Sequence, residues 1–333
     1  MKLGLLTRLF TATQGRPDES EADVSPTGPE WERNIATKSQ FEAGLDLAKE
    51  IGADVVEISQ SGQPSGAEYL LENASARTGF LHTLECLGLQ IAALNCSGIP
   101  LHPVRGTHSE RMIRTTIRLA EKLGVKTIVA MSGAAADGAN SSTVNWIFYP
   151  WPQESLDLLE RQWERIINLW ARLATMASDH GVEKIAIELH PMHLVYNVPT
   201  LERLREAVGP AIGANLDPSH LVWQQMDPLA VAGALGPAIH HVHLKDTQLI
   251  KSEIATAGVL DQRPFSNPDQ RAWIQRTIGR GHGTEFWSKF FQSLELVDYQ
   301  GAVCIEHEDP FQSYADGVRE AGAFLRPLLP STI

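Results

Sequence analysis

The chain of 333 residues has three cysteines, Cys86, Cys96 and Cys304. Their spacing is of neither the metal-binding nor the disulfide type, which argues against a structural zinc and a disulfide scaffold. Reduced core thiols in a cytoplasmic protein are the expectation. No apolar run reaches ~18 residues, so no membrane-spanning helix is expected. The start, M-K-L-G-L-L-T-R-L-F, is broken by Arg8 and followed by no small-residue cleavage site; it reads as a first strand rather than a signal peptide. Positive charge is also scarce, with 28 Lys and Arg against 40 Asp and Glu and a net charge of −12. A nucleic-acid partner would need a basic surface. No G-x-G-x-x-G follows the first strand, so a dinucleotide fold has no support.

What is present is a regular alternation. Strand-like apolar runs at Leu3–Leu9, Asp54–Ser59, Leu89–Cys96, Lys126–Ser132, Lys184–Leu189, Ile212–Leu216, Ile239–Leu244 and Ala302–Glu306 are separated by helical periodicities. The helices fall at about 40–51, 68–87, 109–123, 154–179, 200–208, 227–235, 284–297 and 314–328. Eight strands alternating with eight helices imply parallel pairing and an α/β fold, a (β/α)8 TIM barrel. The chain reads as one barrel domain over 1–333. Extended loops follow strand 4 (133–153) and strand 7 (247–280), and both are candidate lids.

In such a barrel the active site forms at the C-terminal ends of the strands. Those ends read I-A-I-E-L-H-P, A-N-L-D-P-S-H, H-H-V-H-L-K-D and A-V-C-I-E-H-E-D-P. Side chains alternate across a strand. Ala186 and Glu188 therefore share a face, as do His241, His243 and Lys245, and Ala302, Cys304, Glu306 and Glu308. The small residues suit the crowded barrel interior. Glu188, Asp217, His243 and Glu306 are then an inward set from four successive strands. Without a cation the three carboxylates would repel, and one or more would protonate. A divalent metal ion is expected there: Mn2+ first, with Mg2+, Co2+ and Zn2+ as alternatives.

Other residues surround this set with two readings each. His220 is a substrate or catalytic contact or a helix cap. His190 orients a neighbour or packs a turn. Lys245 faces substrate by parity, and His241 supports the ligands or fills the core. Glu57, in strand 2, reaches substrate or forms a salt bridge. His102, in I-P-L-H-P, and Trp151, with Trp146 and Trp223, are pocket candidates. His282, in G-R-G-H-G, sits on a glycine-rich segment that is a lid or a solvated turn.

The pieces E-L-H-P (188–191), D-P-S-H (217–220), H-V-H-L-K-D (241–246) and I-E-H-E-D (305–309) together resemble the xylose-isomerase-like family of sugar phosphate isomerases and epimerases. The resemblance implies the same ligands, Glu188, Asp217, His243 and Glu306. It implies proton abstraction next to a carbonyl through a metal-stabilised enediolate, with Glu188 and Glu306 as the proton-transfer pair. A sugar, keto-sugar or glycoside substrate follows. Two positions depart from the ketose 3-epimerases, which carry Glu and Arg where this chain has Leu194 and Leu249. The abasic-site endonucleases need further ligands, and no histidine lies in 247–260. The W-P at 151–152, V-Y-N at 195–197 and G-V-L-D at 258–261 resemble a longer subfamily that includes large subunits of C-glycoside deglycosidases. That branch implies a lyase and a small partner subunit; a homo-oligomer is the other quaternary expectation.

Overall fold

The computed structural model describes residues 1–8, 38–60, 65–138 and 140–329. Among them, eight parallel strands close a barrel. Seven come in direct succession: β1 (Lys2–Arg8), β2 (Val55–Ser59), β3 (Gln90–Asn95), β4 (Thr127–Met131), β5 (Lys184–Glu188), β6 (Ile212–Leu216) and β7 (Ile239–Leu244). An excursion then carries an antiparallel pair, β8 (Asp246–Leu249) and β9 (Trp273–Arg276), before β10 (Ala302–Ile305) closes the barrel between β7 and β1. The expected strands agree with these to within one or two residues, and Leu9 lies outside the described residues.

The surrounding helices are α1 (Lys38–Glu50), α2 (Ser65–Glu72), α3 (Ala74–Leu87), α4 (Gly106–Leu123), α5 (Gln153–Asp179), α6 (Val198–Val208), α7 (Pro218–Trp223), α8 (Pro228–Leu235), α9 (Lys251–Ala257), α10 (Thr284–Leu296) and α11 (Tyr314–Leu325). The helix expected over 68–87 is two helices, broken at Asn73. That residue has extended backbone, and its side-chain amide donates to Tyr69 O at 3.0 Å. An Asn that bonds the local backbone offers an alternative to the helical ladder. Cys96 and Cys304 are buried thiols, whereas Cys86 is exposed on α3 rather than in the core.

Strand alternation divides the apolar residues into two separate clusters. Ile185, Ile187, Val303 and Ile305 face outward and pack with Trp170, Trp287 and Phe290 in the layer between barrel and helices. Ala93, Val129 and Ala186 form a small cluster of their own inside the barrel. The interior is tight: a Cβ at Gly4 would lie 2.5 Å from Cys304 Sγ. Small residues at this level leave the wider, upper level to the polar strand ends.

The loop after strand 7 folds into a packed lobe around β8 and β9. Trp223 of α7 stacks on Trp273 at 4.5 Å, and Arg271, almost fully buried, lies 3.8 Å over Phe265. Beyond β9, the glycine-rich segment is held by one carboxylate. Asp246 accepts from Gly279 N (3.0 Å), Gly281 N (3.0 Å) and His282 N (2.9 Å), and from His282 Nδ1 (2.8 Å). In the loop after strand 4, Gln162 donates to Ala135 O and Asn145 O, both at 2.9 Å, and ties that loop to α5.

Candidate metal centre

Four polar strand ends converge, each for a local reason. In β5 the K-I-A-I-E alternation turns Ala186 and Glu188 inward, and Glu188 is buried. β6 leads into Asp217, which caps α7. Its Oδ1 accepts from Ser219 N at 2.8 Å, and Pro218 at the first helical position has no N–H to satisfy. Oδ2 of Asp217 is left buried without a hydrogen bond. β7 brings His243 and Lys245 to the same space. Past β10, Glu306 N still donates to Leu244 O at 3.0 Å, which carries the pairing one residue further and sets Glu306 beside them.

Ligand-type atoms of Glu188, Asp217, His243 and Glu306 all lie within 4.8 Å of one another. His243 Nδ1 is 3.0 Å from Glu306 Oε2, 3.7 Å from Glu188 Oε2 and 3.0 Å from Asn215 Nδ2. Asp217 and His243 have no exposed surface, whereas the Glu306 side chain is 18% exposed and forms the open side of the site.

The electrostatics are those of crowded acids. Lys245 Nζ lies 2.9 Å from Glu306, 3.1 Å from Asp217 and 3.4 Å from Glu308. Burial opposes its charge, but these carboxylates outweigh burial and hold the ammonium well above its ordinary range. His243 is likewise held high, with burial overcome by Glu57 and Glu306. Burial resists ionisation of Glu306, yet Lys245 and His243 keep it well below the usual carboxylate range. Burial pushes Glu308 up to about 7, with Lys245 opposing and Glu306 adding. Two histidines go the other way. Burial and Lys245 push His220 down to about 4, and burial and His220 push His190 down to about 3.

The donor set fits a divalent cation. Three carboxylates and one imidazole are hard-to-borderline ligands. Their ligand atoms lie within 4.8 Å of one another, and Asp217 Oδ2, which makes no hydrogen bond and has the Lys245 ammonium and His220 Nε2 near it, at 3.1 Å and 3.4 Å, is turned into the same space.

Of the further candidates, His220 is at the centre: its Nε2 lies 3.1 Å from Glu188 Oε1 and 3.4 Å from Asp217 Oδ2. His190 packs 4.2 Å from the His220 ring and donates from Nδ1 to Pro191 O at 2.5 Å. Glu57 has no exposed surface and lies against His241 and His243. The remaining candidates have contacts of their own. His102 Nδ1 accepts from the backbone N–H groups of Val104 and Arg105. Trp151 is 72% exposed just before α5, and His282 is bound to Asp246 and packs on Phe286. Of the loop after β10, Glu308 reaches Lys245, while Asp309 turns away to Thr277 and Arg276. Asn215 was not among the sequence candidates. It sits two residues before Asp217, so parity alone carried the signal.

The family model for xylose isomerase-like TIM barrels matches residues 45–328. The chain is 40% identical over 287 residues to the uncharacterized protein YfiH of Bacillus subtilis (strain 168), covering 84% of this chain and 92% of that one. It is 28% identical over 153 residues to inosose dehydratase 1 of Bacillus cereus, about half of each chain, at 45% and 49%. The crystal structure of the IolI protein with a bound zinc atom superposes with a TM-score of 0.62 at 16% identity, covering 99% of this chain and 98% of that one.

Proposed function

The chain belongs to the xylose isomerase-like TIM barrel family, and from that premise we propose that it is a divalent-metal-dependent sugar isomerase or epimerase that removes a proton next to a carbonyl. The observation that carries this reading is the convergence of Glu188, Asp217, His243 and Glu306 within 4.8 Å. Mn2+ is the proposed ion. Zn2+ is the alternative, being the ion bound in the IolI structure. A cation held there would polarise the substrate carbonyl and offset the negative charge that develops as the adjacent proton leaves.

The chain's own groups supply the rest. Glu188 and Glu306 end strands on two sides of the centre, so one can take the proton and the other return it to the opposite face. His220 is neutral at neutral pH, and its Nε2 at 3.1 Å from Glu188 can hydrogen-bond that carboxylate or a substrate hydroxyl. Lys245 is a fixed ammonium for a substrate oxygen. Leu194 and Leu249 offer no polar group to a free ketohexose.

A second reading is a lyase, in which the same proton removal is followed by loss of water or an aglycone. The match to inosose dehydratase 1 favours it. Incubating Mn2+-loaded protein in D2O with keto-sugars, inososes and 3-oxo-glycosides, followed by NMR, separates the two. Deuterium in an unchanged skeleton supports isomerisation or epimerisation, and a dehydrated product or a released aglycone supports elimination. No exchange with any of them overturns both.

A further inference from the structure

Glu57 is the sole acid of β2, and it is fully buried. Three donors from two other strands reach it. Asn95 Nδ2 of β3 donates to Oε1 at 2.7 Å. His241 Nε2 of β7 lies 2.6 Å from Oε2, and His243 Nε2 lies 2.9 Å from the same oxygen and 3.1 Å from Oε1. Both carboxylate oxygens are thus occupied within the barrel. The group that contacts His243 on one nitrogen is Glu57; the groups on the other nitrogen are Asn215, Glu306 and Glu188.

A neutral imidazole has one N–H and one lone pair. A carboxylate accepts, so it selects the tautomer with the proton on Nε2. Asn215 Nδ2, at 3.0 Å from Nδ1, is a donor that suits a lone pair there. Glu306 Oε2, 3.0 Å from Nδ1, favours a proton there in the metal-free site; a cation held by Glu306 would take that proton's place and leave Nε2–H on Glu57 to fix the ring. Metal-binding histidines commonly donate their other N–H to a carboxylate, which fixes the ring and raises its basicity.

We propose that Glu57 is a positioning residue that holds His243 by Nε2–H, presents its Nδ1 to the metal, and is itself steadied by Asn95 and His241. The inference rests on the metal-centre reading above. Of the two sequence readings of Glu57, substrate contact and salt bridge, it takes the second and gives it a role inside the barrel.

The test uses full-length protein loaded with Zn2+, a diamagnetic probe. Long-range 1H–15N NMR of the histidine rings, with His243 assigned by a His243→Asn variant, should show Nδ1 metal-bound and Nε2 carrying a hydrogen-bonded, downfield proton. Zn2+ bound through Nε2 of His243 overturns the proposal, whatever any variant does. Glu57→Gln is expected to weaken Zn2+ and Mn2+ binding about 10- to 100-fold in titration calorimetry. It should also move the His243 Nε2–H signal upfield, an effect that a merely structural role would not produce. Unchanged affinity together with an unchanged signal overturns the proposal and leaves the metal centre intact. A wild-type protein that binds neither ion stoichiometrically defeats the metal-centre reading and this inference with it.

Discussion

The Nζ of Lys245 sits 2.9 Å from Oε2 of Glu306, and the same ammonium is 3.1 Å from Asp217 Oδ2. Two of the four metal-type ligands are therefore also the counter-ions of a buried lysine. A divalent cation held there would share acceptors with this ammonium and be repelled by it. Like charges a few ångströms apart in a partly buried site interact by on the order of a few kcal/mol. Lys245→Met is expected to tighten Mn2+ binding by about tenfold or more, and to lower turnover if the ammonium serves a substrate oxygen. Titration calorimetry at neutral pH checks it; weaker binding in the variant would show that Lys245 supports the cation rather than competing with it.

On the proposed reading Glu188 and Glu306 have two roles, as ligands and as proton-transfer groups. Glu→Gln at either position retains one oxygen for a cation while removing the base. Loss of general-base catalysis costs roughly 10²- to 10⁴-fold, so turnover should fall by that order while stoichiometric Mn2+ binding, though weakened, persists at saturating ion. Turnover and deuterium exchange measured at saturating Mn2+ test this. Wild-type exchange rates in both variants would move the base to His220 or another group.

Asp246 organises the segment after β9. Its carboxylate accepts from three backbone N–H groups of that segment, from His282 Nδ1 and from Thr247 N, and it is almost fully buried. Hydrogen bonds to a charged acceptor are worth about 1.5–3 kcal/mol each, and a buried donor left unpaired costs a comparable amount. Asp246→Asn should lower stability by about 3 kcal/mol. Gly281→Ala should act on the same contact, because a Cβ there would lie 2.6 Å from Asp246 Oδ1 and 2.7 Å from Thr247 O. Urea unfolding of both variants tests the assignment; a loss within experimental error in both would mean that the segment repacks freely.

The barrel was legible because its signals are local and repeated. Period-two alternation in K-I-A-I-E and A-V-C-I-E separates the outward Ile185, Ile187, Val303 and Ile305 from the inward Ala186 and Cys304, and the packing follows that division. The same parity brought Glu188, His243 and Glu306 together. The excursion after β7 was not legible. D-T-Q-L and W-I-Q-R are short, half-polar strands whose pairing depends on a partner some thirty residues away in sequence. Glu57 shows the other limit. Its place in strand 2 left a substrate contact and a salt bridge open, and that both its oxygens are used by Asn95, His241 and His243 depends on how β2, β3 and β7 meet across the barrel. Trp151, a pocket candidate by residue type alone, lies largely in solvent.

His240 provides a pH-dependent test away from the metal centre. It is buried, with Nδ1 unbonded, and burial together with Lys184 and Arg205 pushes it down to about 4. The unfolded chain's histidine titrates near 6.5. Between those values the unfolded state binds more protons, so stability rises with pH. This contribution is complete above about 6.5 and is lost progressively as pH falls toward 4, with roughly 2 kcal/mol gone by pH 5. His240→Gln removes the titrating group, while His190 and His220 still titrate in the variant. Urea unfolding at pH 7.5 and pH 5 should therefore show a smaller drop in stability for His240→Gln than for wild type. Equal drops in the two proteins would mean that His240 is not held neutral by the fold.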